Sequence, residues 1–431
     1  MSDSGDRIVS RRLVLGSAAG LIGAGLAPAG AAHASGSPRR GPVDQHAVDA
    51  VASRLDSSLI DLRRELHNHP ETAGQEKRTA EVVAQRLRAA GLHVTTGVGG
   101  HGVVGLLTGS RRGRTVAYRA DMDAVAPGDQ VGGGPQAAHL CGHDLHTTVG
   151  VGVAEVLARL RHRLAGTVAF LFQPAEESLT GAAAMLDAGV LGRVRPAEIH
   201  ALHCGPFPVG QFVVTPGYGL PGQDRGVITF TGPDAVARAR QLAAEISALG
   251  TVSRPSTGAD LERLVADFQT PDGPLAEFVA MQAGVPAGDR AEVRVSYRCW
   301  PEERYAGVRD DIRRLARSAG PATVDFPKDP FPAMVCPPKE ALALKLHLQH
   351  TAGRSRVRTA YAAIPFSGED FALLLNRIPG TYTFLGVRSP GAAIETSYPH
   401  FGAFNPDERA IGHGVRAMAG WLAERAAKPK A

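Results

Sequence analysis

Short apolar segments that alternate with amphipathic helices constrain the fold of this chain more than any other feature of its sequence. The clearest is 167–172, whose last five residues are all hydrophobic, as expected of a strand buried on both faces. Similar segments at 103–107, 115–118 and 199–202 are bounded by Gly, Pro or charged residues. Because helical patterns separate these segments, the sequence predicts an α/β fold built on an open sheet.

The pattern changes near residue 225 and returns to sheet-like segments after residue 331. At 431 residues, the chain is also too long for one ordinary core. We therefore predict a main domain in two parts, 49–224 and 332–431, with a smaller α+β domain, 225–331, inserted between them. The strands and helices predicted for the insertion lie at 227–231, 236–249, 292–300 and 305–315.

The first 34 residues have the pattern of an export signal. Arg11 and Arg12 precede an Ala/Gly-rich apolar stretch, and Ala-His-Ala at 32–34 is a small-residue cleavage pattern. A transmembrane anchor is the alternative, but a span needs about 20 strongly apolar residues, and this stretch is shorter. We predict a twin-arginine signal peptide at 1–34, a linker at 35–48, and a secreted protein without a membrane anchor after cleavage.

Charge and cysteine content exclude two classes of protein. The formal net charge is +5 and 5% of the residues are aromatic, so the interleaved basic and aromatic surface of a nucleic-acid-binding protein is not expected. The four cysteines are too few for a disulfide scaffold and lack Cys-x-x-Cys spacing. Oxidation of Cys299 and Cys336 after export stays open. Any metal site must use mixed ligands.

The densest group of metal-binding side-chain types lies in the segment HLCGHDLH at 139–146. Thiolate and imidazole are good ligands for zinc-like ions, and the turn at Gly142 lets Cys141 and His143 converge. The alternative is a polar helix N-terminus. A solvated cap, however, has no use for a cysteine between two histidines.

Glu176 and Glu177 directly follow the apolar strand at 167–172. Adjacent carboxylates repel each other when both lose water, so they need a cation or a raised pKa. One metal ligand and one proton carrier would satisfy both requirements. An acidic helix start is the alternative.

Two histidines and an aspartate are weaker candidates when each is taken alone. His203 follows the apolar strand at 199–202, and His400 lies in a Tyr-Pro-His-Phe segment; a single histidine of this kind is more often a satisfied core residue. Asp121 and Asp123 follow a strand, where a solvated turn is an equal alternative. Five ligand candidates result, enough for a two-metal site: Cys141, His143, Glu177, His203 and His400.

The order of these motifs resembles that of the co-catalytic metallopeptidases and amidohydrolases, in particular the branch of hippurate hydrolase, bacterial aminoacylase and indoleacetyl-amino-acid hydrolase. The resemblance extends from about residue 59 to residue 411. Its motifs are RRELHNHPE at 63–71, RADMDA at 119–124, HLCGHDLHT at 139–147, FQPAEE at 172–177, LHCGP at 202–206, SGEDF at 367–371 and the segment 400–404.

This resemblance implies a zinc-peptidase-like catalytic domain with an open mixed sheet, and an inserted lid domain through which two copies can form a homodimer. The five candidate ligands would share two divalent ions, Zn2+ or Mn2+, with Co2+ and Ni2+ as alternatives. Glu176 would be the general base, passing a proton from water to the leaving amine, and Asp123 would orient the site. The implied substrates are N-acyl amino acids or small peptides.

The inserted segment departs from the family pattern. Relatives carry Gly-Gly-His-Ala after its first strand, and that histidine stabilises the oxyanion or holds the substrate. Here no histidine occurs between His203 and His347, and 283–288 replaces an expected Asn-Val-Ile-Pro, although Arg298 still matches a lid position. Because losing one oxyanion donor costs about a hundredfold in rate or more, the alternative function is a metal-binding pseudo-hydrolase that acts as a binding protein. The retained Glu176 argues against it.

Overall fold

The computed structural model describes residues 41–288 and 290–429, and two sheets organise this part of the chain. Its strands are β1 (His93–Thr96), β2 (Val103–Thr108), β3 (Arg111–Asp121), β4 (Ala165–Gln173), β5 (Ile199–Pro208), β6 (Phe212–Val214), β7 (Gly219–Leu220), β8 (Asp224–Phe230), β9 (Phe278–Gly284), β10 (Glu292–Trp300), β11 (Ala322–Asp325), β12 (Met334–Val335), β13 (Val357–Thr359) and β14 (Gly380–Arg388).

Helices connect and cover these strands. They are α1 (Gln45–Ala52), α2 (Asp56–His67), α3 (Lys77–Ala89), α4 (His143–Arg159), α5 (Gly181–Asp187), α6 (Val190–Val194), α7 (Ala235–Ser247), α8 (Gly258–Phe268), α9 (Arg304–Ala319), α10 (Pro338–Thr351), α11 (Phe371–Leu375) and α12 (Arg409–Ala426). Among the residues described, none of these helices has the length and apolar character to cross a lipid bilayer.

The larger sheet has eight strands in the order β1-β2-β4-β3-β5-β14-β6-β13. Its centre, β4-β3-β5-β14, is parallel, whereas β2 and β6 join it in antiparallel pairings. The predicted open mixed sheet is therefore confirmed. The chain passes from β3 to β4 on one side and later to β5 on the other, and ligands bind at the carboxyl ends of strands where the order reverses in this way.

Apolar side chains cover both faces of the larger sheet. One face packs against α1, α2, α3, α4 and α12, and α4 is buried along almost its whole length. The opposite face packs against α5, α6 and α11. The all-apolar pattern of the segment at 167–172 follows from this arrangement, because β4 has helices on both sides.

The second sheet has four antiparallel strands in the order β11-β8-β10-β9. Helices α7 and α9 pack on one of its faces around a separate apolar cluster that includes Ile228, Leu242 and Ile312. The chain reaches and leaves this sheet through β7 and β12, which pair with each other. The two strands and two helices predicted for the insertion are present, and the domain boundaries 225 and 331 stay a prediction.

Helix α8 is absent from the sequence prediction, although the sequence carries its signals. Thr257 and Asp260 form a capping box at its start, and Leu261, Leu264 and Phe268 recur at helical spacing. The helix also packs on the larger sheet, because Phe268 belongs to the apolar cluster of that sheet.

Two predictions concern the N-terminal segment, a signal peptide and a linker. The predicted signal peptide, 1–34, lies outside the described residues. Helix α1 begins at Gln45, inside the predicted linker, because the Asp44 carboxylate accepts a hydrogen bond from the Ala47 N–H (2.8 Å) and caps the helix.

Helix α12 is held to the start of β5 by charge and by one large aromatic side chain. Glu198, directly before β5, accepts hydrogen bonds from Arg114 (2.6 Å) and from Arg425 (2.6 Å). The Arg425 guanidinium lies 4.9 Å from the ring centroid of Trp421, a side chain that is fully buried. These contacts close the hydrophobic layer that covers one face of the sheet.

We predict that Trp421→Ala lowers the free energy of unfolding by about 3 to 5 kcal/mol, because a large cavity opens beneath α12. Urea denaturation followed by circular dichroism measures this change. Leu346→Ala on α10, where the side chain is 68% exposed, is the control and should change the free energy by less than about 0.5 kcal/mol. Equal effects of the two variants would contradict this view of the core.

Candidate active site at the strand ends

The structure brings all seven predicted site residues together at the carboxyl ends of β3, β4 and β5. Asp123 follows β3, Glu176 and Glu177 follow β4, and His203 lies within β5. A cavity of about 750 Å³ opens over them. The predicted residues that line it are Cys141, Glu176, Glu177, His203 and His400, whereas His143 and Asp123 are fully buried.

The candidate ligand atoms lie close to one another. Cys141 Sγ lies 3.5 Å from His203 Nε2, and His400 Nε2 lies 3.3 Å from a Glu177 carboxylate oxygen. His143 Nε2 lies between the two sides, 3.8 Å from an oxygen of Glu176 and 3.8 Å from an oxygen of Glu177. Three overlapping groups of donors result, each with its atoms within 4.8 Å of one another.

The same ring nitrogen is fixed by a backbone carbonyl in all three histidines. The Nδ1 atoms of His143, His203 and His400 lie 2.8, 2.8 and 3.1 Å from the carbonyl oxygens of Asp123, Cys204 and Asp129. Since a carbonyl oxygen can only accept, Nδ1 carries a proton in each ring, and Nε2 is the nitrogen that faces the site and can bind a cation when the ring is neutral. This arrangement is typical of histidines that bind a metal.

Asp123 joins two parts of the site through one side chain. One carboxylate oxygen lies 3.2 Å from His143 Nδ1, and the other accepts a hydrogen bond from the Glu177 N–H (2.9 Å). His143 Nε2 and one Glu177 oxygen are buried and have no hydrogen-bond partner within the described residues. A soft thiolate, imidazoles and carboxylate oxygens around such atoms fit divalent ions of the zinc type.

Arg119 lies beneath these residues and is 1% exposed. Its guanidinium contacts carboxylates of Asp121 (2.6 Å), Glu369 (2.9 Å) and Asp370 (2.9 Å). Asp370 also accepts a hydrogen bond from the Ala182 N–H (2.8 Å) and ties α5 to the network. Arg119 and Asp121 lie in the motif at 119–124, and Glu369 and Asp370 lie in the motif at 367–371. The motifs alone predict no role for these residues, because only the fold brings them together.

His146 belongs to the dense histidine segment but has a supporting place. Its Nε2 accepts a hydrogen bond from the Cys204 N–H (2.8 Å), so its Nδ1 carries the proton and faces Asp121 at 3.5 Å. Through its Nε2 hydrogen bond, His146 holds β5 against α4 next to His203, whereas its Nδ1 has no hydrogen-bond partner within the described residues.

Comparison with known proteins agrees with this geometry. Residues 117–424 match the profile of peptidase family M20/M25/M40. The chain belongs to this family. N-acetylcysteine deacetylase of Bacillus subtilis is 31% identical over 378 residues, which cover 82% of this chain and 93% of that protein. Membership confirms the predicted family and its enzyme class, a hydrolase of amide bonds.

Other M20 relatives carry different names. Thermostable carboxypeptidase 1 of Saccharolobus solfataricus is 29% identical over 85% of this chain and 94% of its own length. The solved structure of the Bacillus subtilis YXEP protein, described as a dinuclear metal-binding peptidase of family M20, superposes with a TM-score of 0.64. It is 26% identical, and the match covers 87% of this chain and 99% of that one.

Burial and crowding of carboxylates dominate the electrostatics of this M20 site. Burial, together with the charge of Glu369, raises the pKa of Glu176 well above its usual range. Burial also raises the pKa of Glu177. Burial alone would lower the pKa of His143, but the hydrogen bond to Asp123 and the nearby carboxylates raise it to about 10. The site is therefore one in which positive charge is favoured.

The second sheet supplies the opposite wall of the cavity. The cavity is lined here by Arg225 of β8 and Arg298 of β10, by Gln223 and Gln282, and by Arg254 from the segment between α7 and α8. Arg298 donates to the Gly222 carbonyl (3.3 Å) and Arg225 to the Gln223 side chain (3.1 Å). Within the described residues, no carboxylate forms an ion pair with any of these three arginines.

The four cysteines are free thiols and are buried. Cys299 lies on β10 within the second sheet, and Cys336 follows β12, where its sulfur accepts a hydrogen bond from the Tyr382 N–H (3.0 Å). These two cysteines are therefore not paired in the structure, and Cys141 is free to act as a ligand.

We predict that Arg119→Met lowers the free energy of unfolding at pH 7 by about 3 to 5 kcal/mol, because three buried carboxylates lose their cation. The measurement is urea denaturation of protein treated with a chelator, so that bound metal does not add to stability. Arg263→Met is the matched control, since its side chain is 69% exposed, and its effect should stay below about 1 kcal/mol. A loss of under 1 kcal/mol for Arg119→Met would contradict the role given to this network.

Proposed function

We propose that the protein hydrolyses the amide bond of N-acyl amino acids or small peptides with the help of two bound divalent ions. The observation that carries the proposal is the shared orientation of His143, His203 and His400. Each presents Nε2 toward the group formed by Cys141 and Glu177. Relatives named as a deacetylase, a carboxypeptidase and a dinuclear metal-binding peptidase support the same class of reaction, hydrolysis of an amide bond.

The proposed metal ligands are the five residues predicted from the sequence. Two overlapping groups of donors, Cys141 with His143 and His203, and Cys141 with Glu177 and His400, would hold the ions. Zn2+ and Mn2+ suit such mixed ligands, and Co2+ and Ni2+ are alternatives. Bound ions supply Lewis acidity that polarises the amide carbonyl and acidifies a water molecule.

Glu176 is the proposed general base. Its carboxylate lines the cavity, is 5% exposed, points toward the ligand His143, and forms no ion pair with an arginine within the described residues. It would take the proton of the attacking water and deliver it to the leaving amine. Asp123 would be a positioning residue, because its carboxylate contacts both His143 Nδ1 and the Glu177 N–H and so orients two of the proposed ligands.

The three arginines that line the cavity, Arg225, Arg254 and Arg298, give the proposal its substrate class. A carboxylate on the leaving amine would pair with guanidinium groups that have no acidic partner of their own within the described residues. N-acyl amino acids and peptides with a free carboxyl terminus carry such a carboxylate. A homodimer formed through the inserted domain stays a prediction.

A metal-binding pseudo-hydrolase is the second candidate, and the absence of a histidine between His203 and His347 favours it. A binding protein of this kind would keep the ligands but would have no need for Glu176. Both candidates share the metal, so metal content alone does not separate them. Turnover relative to a Glu176 variant does.

We expect Glu176→Gln to keep its metal and to lose kcat by about a hundredfold to ten-thousandfold, because proton transfer is lost. We expect His143→Ala and His203→Ala to lose stoichiometric metal. Elemental analysis and a panel of N-acetyl and N-benzoyl amino acids and dipeptides, tested with zinc-, manganese- or cobalt-loaded protein, provide the measurements.

Glu81→Gln, an exposed change on α3, is the control for this experiment. If the wild type turns over no panel member faster than Glu176→Gln does, the pseudo-hydrolase is the better description. If purified protein keeps no divalent ion, both candidates fail.

We also propose that residues 1–34 direct the protein out of the cell by twin-arginine export. The paired arginines and the cleavage pattern of the sequence support this. Replacing Arg11 and Arg12 by lysines should abolish export of the full-length chain in a bacterial host, measured by cell fractionation. Arg7→Lys is the matched control and should leave export unchanged. Export of the double variant at the wild-type level would contradict the proposal.

A further inference from the structure

Helix α8 contributes to the cavity although no role has been assigned to it. By sequence it belongs to the segment that forms the second sheet, but its contacts are with the larger sheet. The Tyr361 N–H donates to the Phe268 carbonyl (2.9 Å), and Glu262 forms an ion pair with Arg388 at the end of β14. With its start fixed by the capping box at Thr257, the helix has a defined place beside the active site.

One side of α8 faces the cavity with apolar side chains. Leu264, Val265 and Phe268 line it, as does Leu275 in the segment that follows. Leu261 lies on the same helix and is buried, but it does not line the cavity. The apolar surface of α8 is therefore divided between packing and the cavity.

An aromatic cluster connects this surface to the proposed metal site. The ring of Phe268 lies 6.3 Å from that of Phe207 and 5.7 Å from that of Phe384, measured between centroids. The ring of Phe384 in turn lies 6.3 Å from that of His203. An apolar wall thus extends without interruption from a proposed ligand to α8.

The two walls of the cavity differ in polarity. Arginines 225 and 298 of the second sheet, with Arg254 from the segment before α8, line one wall, whereas leucine, valine and phenylalanine side chains line the wall formed by α8. A substrate with a carboxylate at one end and an apolar group at the other matches this division. In an N-acyl amino acid, the carboxylate belongs to the leaving amine and the apolar group to the acid.

We propose that α8 selects the acyl group, and that the protein acts on amides of bulky apolar acids, aromatic or of medium chain length, in preference to acetyl amides. Leu264, Val265 and Phe268 are the specificity-determining residues. This inference rests on the proposed amidohydrolase function. A wall already fixed to the sheet is preformed, so the apolar group is bound without the cost of ordering the helix.

The first test compares acyl groups on one amino acid. Metal-loaded protein is given N-acetyl, N-butanoyl, N-hexanoyl and N-phenylacetyl alanine. Each added methylene that reaches an apolar wall favours the transition state by about fourfold at best, so kcat/KM for the hexanoyl substrate should exceed that for the acetyl substrate by more than about tenfold. Equal or higher kcat/KM for the acetyl substrate would overturn the inference.

The second test changes α8 itself. Leu264→Ala should lower kcat/KM for the hexanoyl substrate by about tenfold and leave the acetyl value within about twofold, because the lost contact is made by the longer chain. Val265→Trp should act in the opposite sense and exclude the phenylacetyl substrate while acetyl turnover remains. Selectivity unchanged in both variants would overturn the inference.

Leu261→Ala is the matched control, since it makes the same change on the same helix away from the cavity. It should lower the melting temperature without altering the ratio of hexanoyl to acetyl kcat/KM. Thermal unfolding of each variant shows whether it folds. If no acyl substrate is hydrolysed although metal is bound, the proposed function fails. Calorimetric binding of hexanoyl and acetyl alanine then decides the inference, which predicts at least tenfold tighter binding of hexanoyl alanine.

Discussion

The burial of several carboxylates at the ends of three neighbouring strands is the constraint on which the rest of the structure depends. Asp121, Glu176, Glu177, Glu369 and Asp370 are largely withdrawn from water. Their charges are tolerable only with cations nearby. Arg119 compensates three of them directly. In the part of the chain that the structure describes, neither Glu176 nor Glu177 forms an ion pair with an arginine, and the histidines and Cys141 around Glu177 offer ligands to a cation instead. The site is therefore divided into a lower layer, in which the single positive charge of Arg119 is shared by three buried carboxylates, and an upper layer whose ligands favour divalent ions.

Two residues with positive φ, Gly142 and His400, help to bring the ligands together. This backbone conformation is unfavourable for residues other than glycine. Gly142 between Cys141 and His143 has φ 84°, and a Cβ there would lie 2.6 Å from Cys204 Sγ. Only glycine fits that turn. His400 has φ 68° without being glycine, and such strain is retained where the surrounding structure requires it. Its N–H donates to the Leu140 carbonyl (2.8 Å), which links the His400 loop to the turn that carries Cys141.

The sequence predicted what depends on local pattern and missed what depends on distant contacts. The strand at 292–300 was predicted with its observed bounds as β10, and the five ligand candidates lie together, because strand ends and ligand types are visible in a single segment. The Arg119–Asp370 pair joins residues 251 positions apart, and neither sequence motif indicates that it contacts the other. Helix α8 was missed for a related reason. Its apolar stripe is short, and its packing partners, Phe207 and Phe384, lie on strands far away in the sequence.

Catalysis and recognition are separated in this fold. The proposed ligands, Glu176 and the Arg119 network come from the larger sheet and its loops, whereas the arginines and α8 come from the segment that departs from the family pattern. Fold membership alone therefore leaves the substrate undecided, as the different names of relatives with about 30% identity illustrate.

A histidine lost from that segment removes one polar contact with the reacting group. The same segment adds an apolar wall and a cationic wall, which in the proposed function would act on parts of the substrate remote from the reaction. Binding energy from such remote parts can serve the reaction by holding the amide in place. The departure from the family pattern is thus compatible with an active hydrolase whose substrate must carry both an apolar and an anionic end.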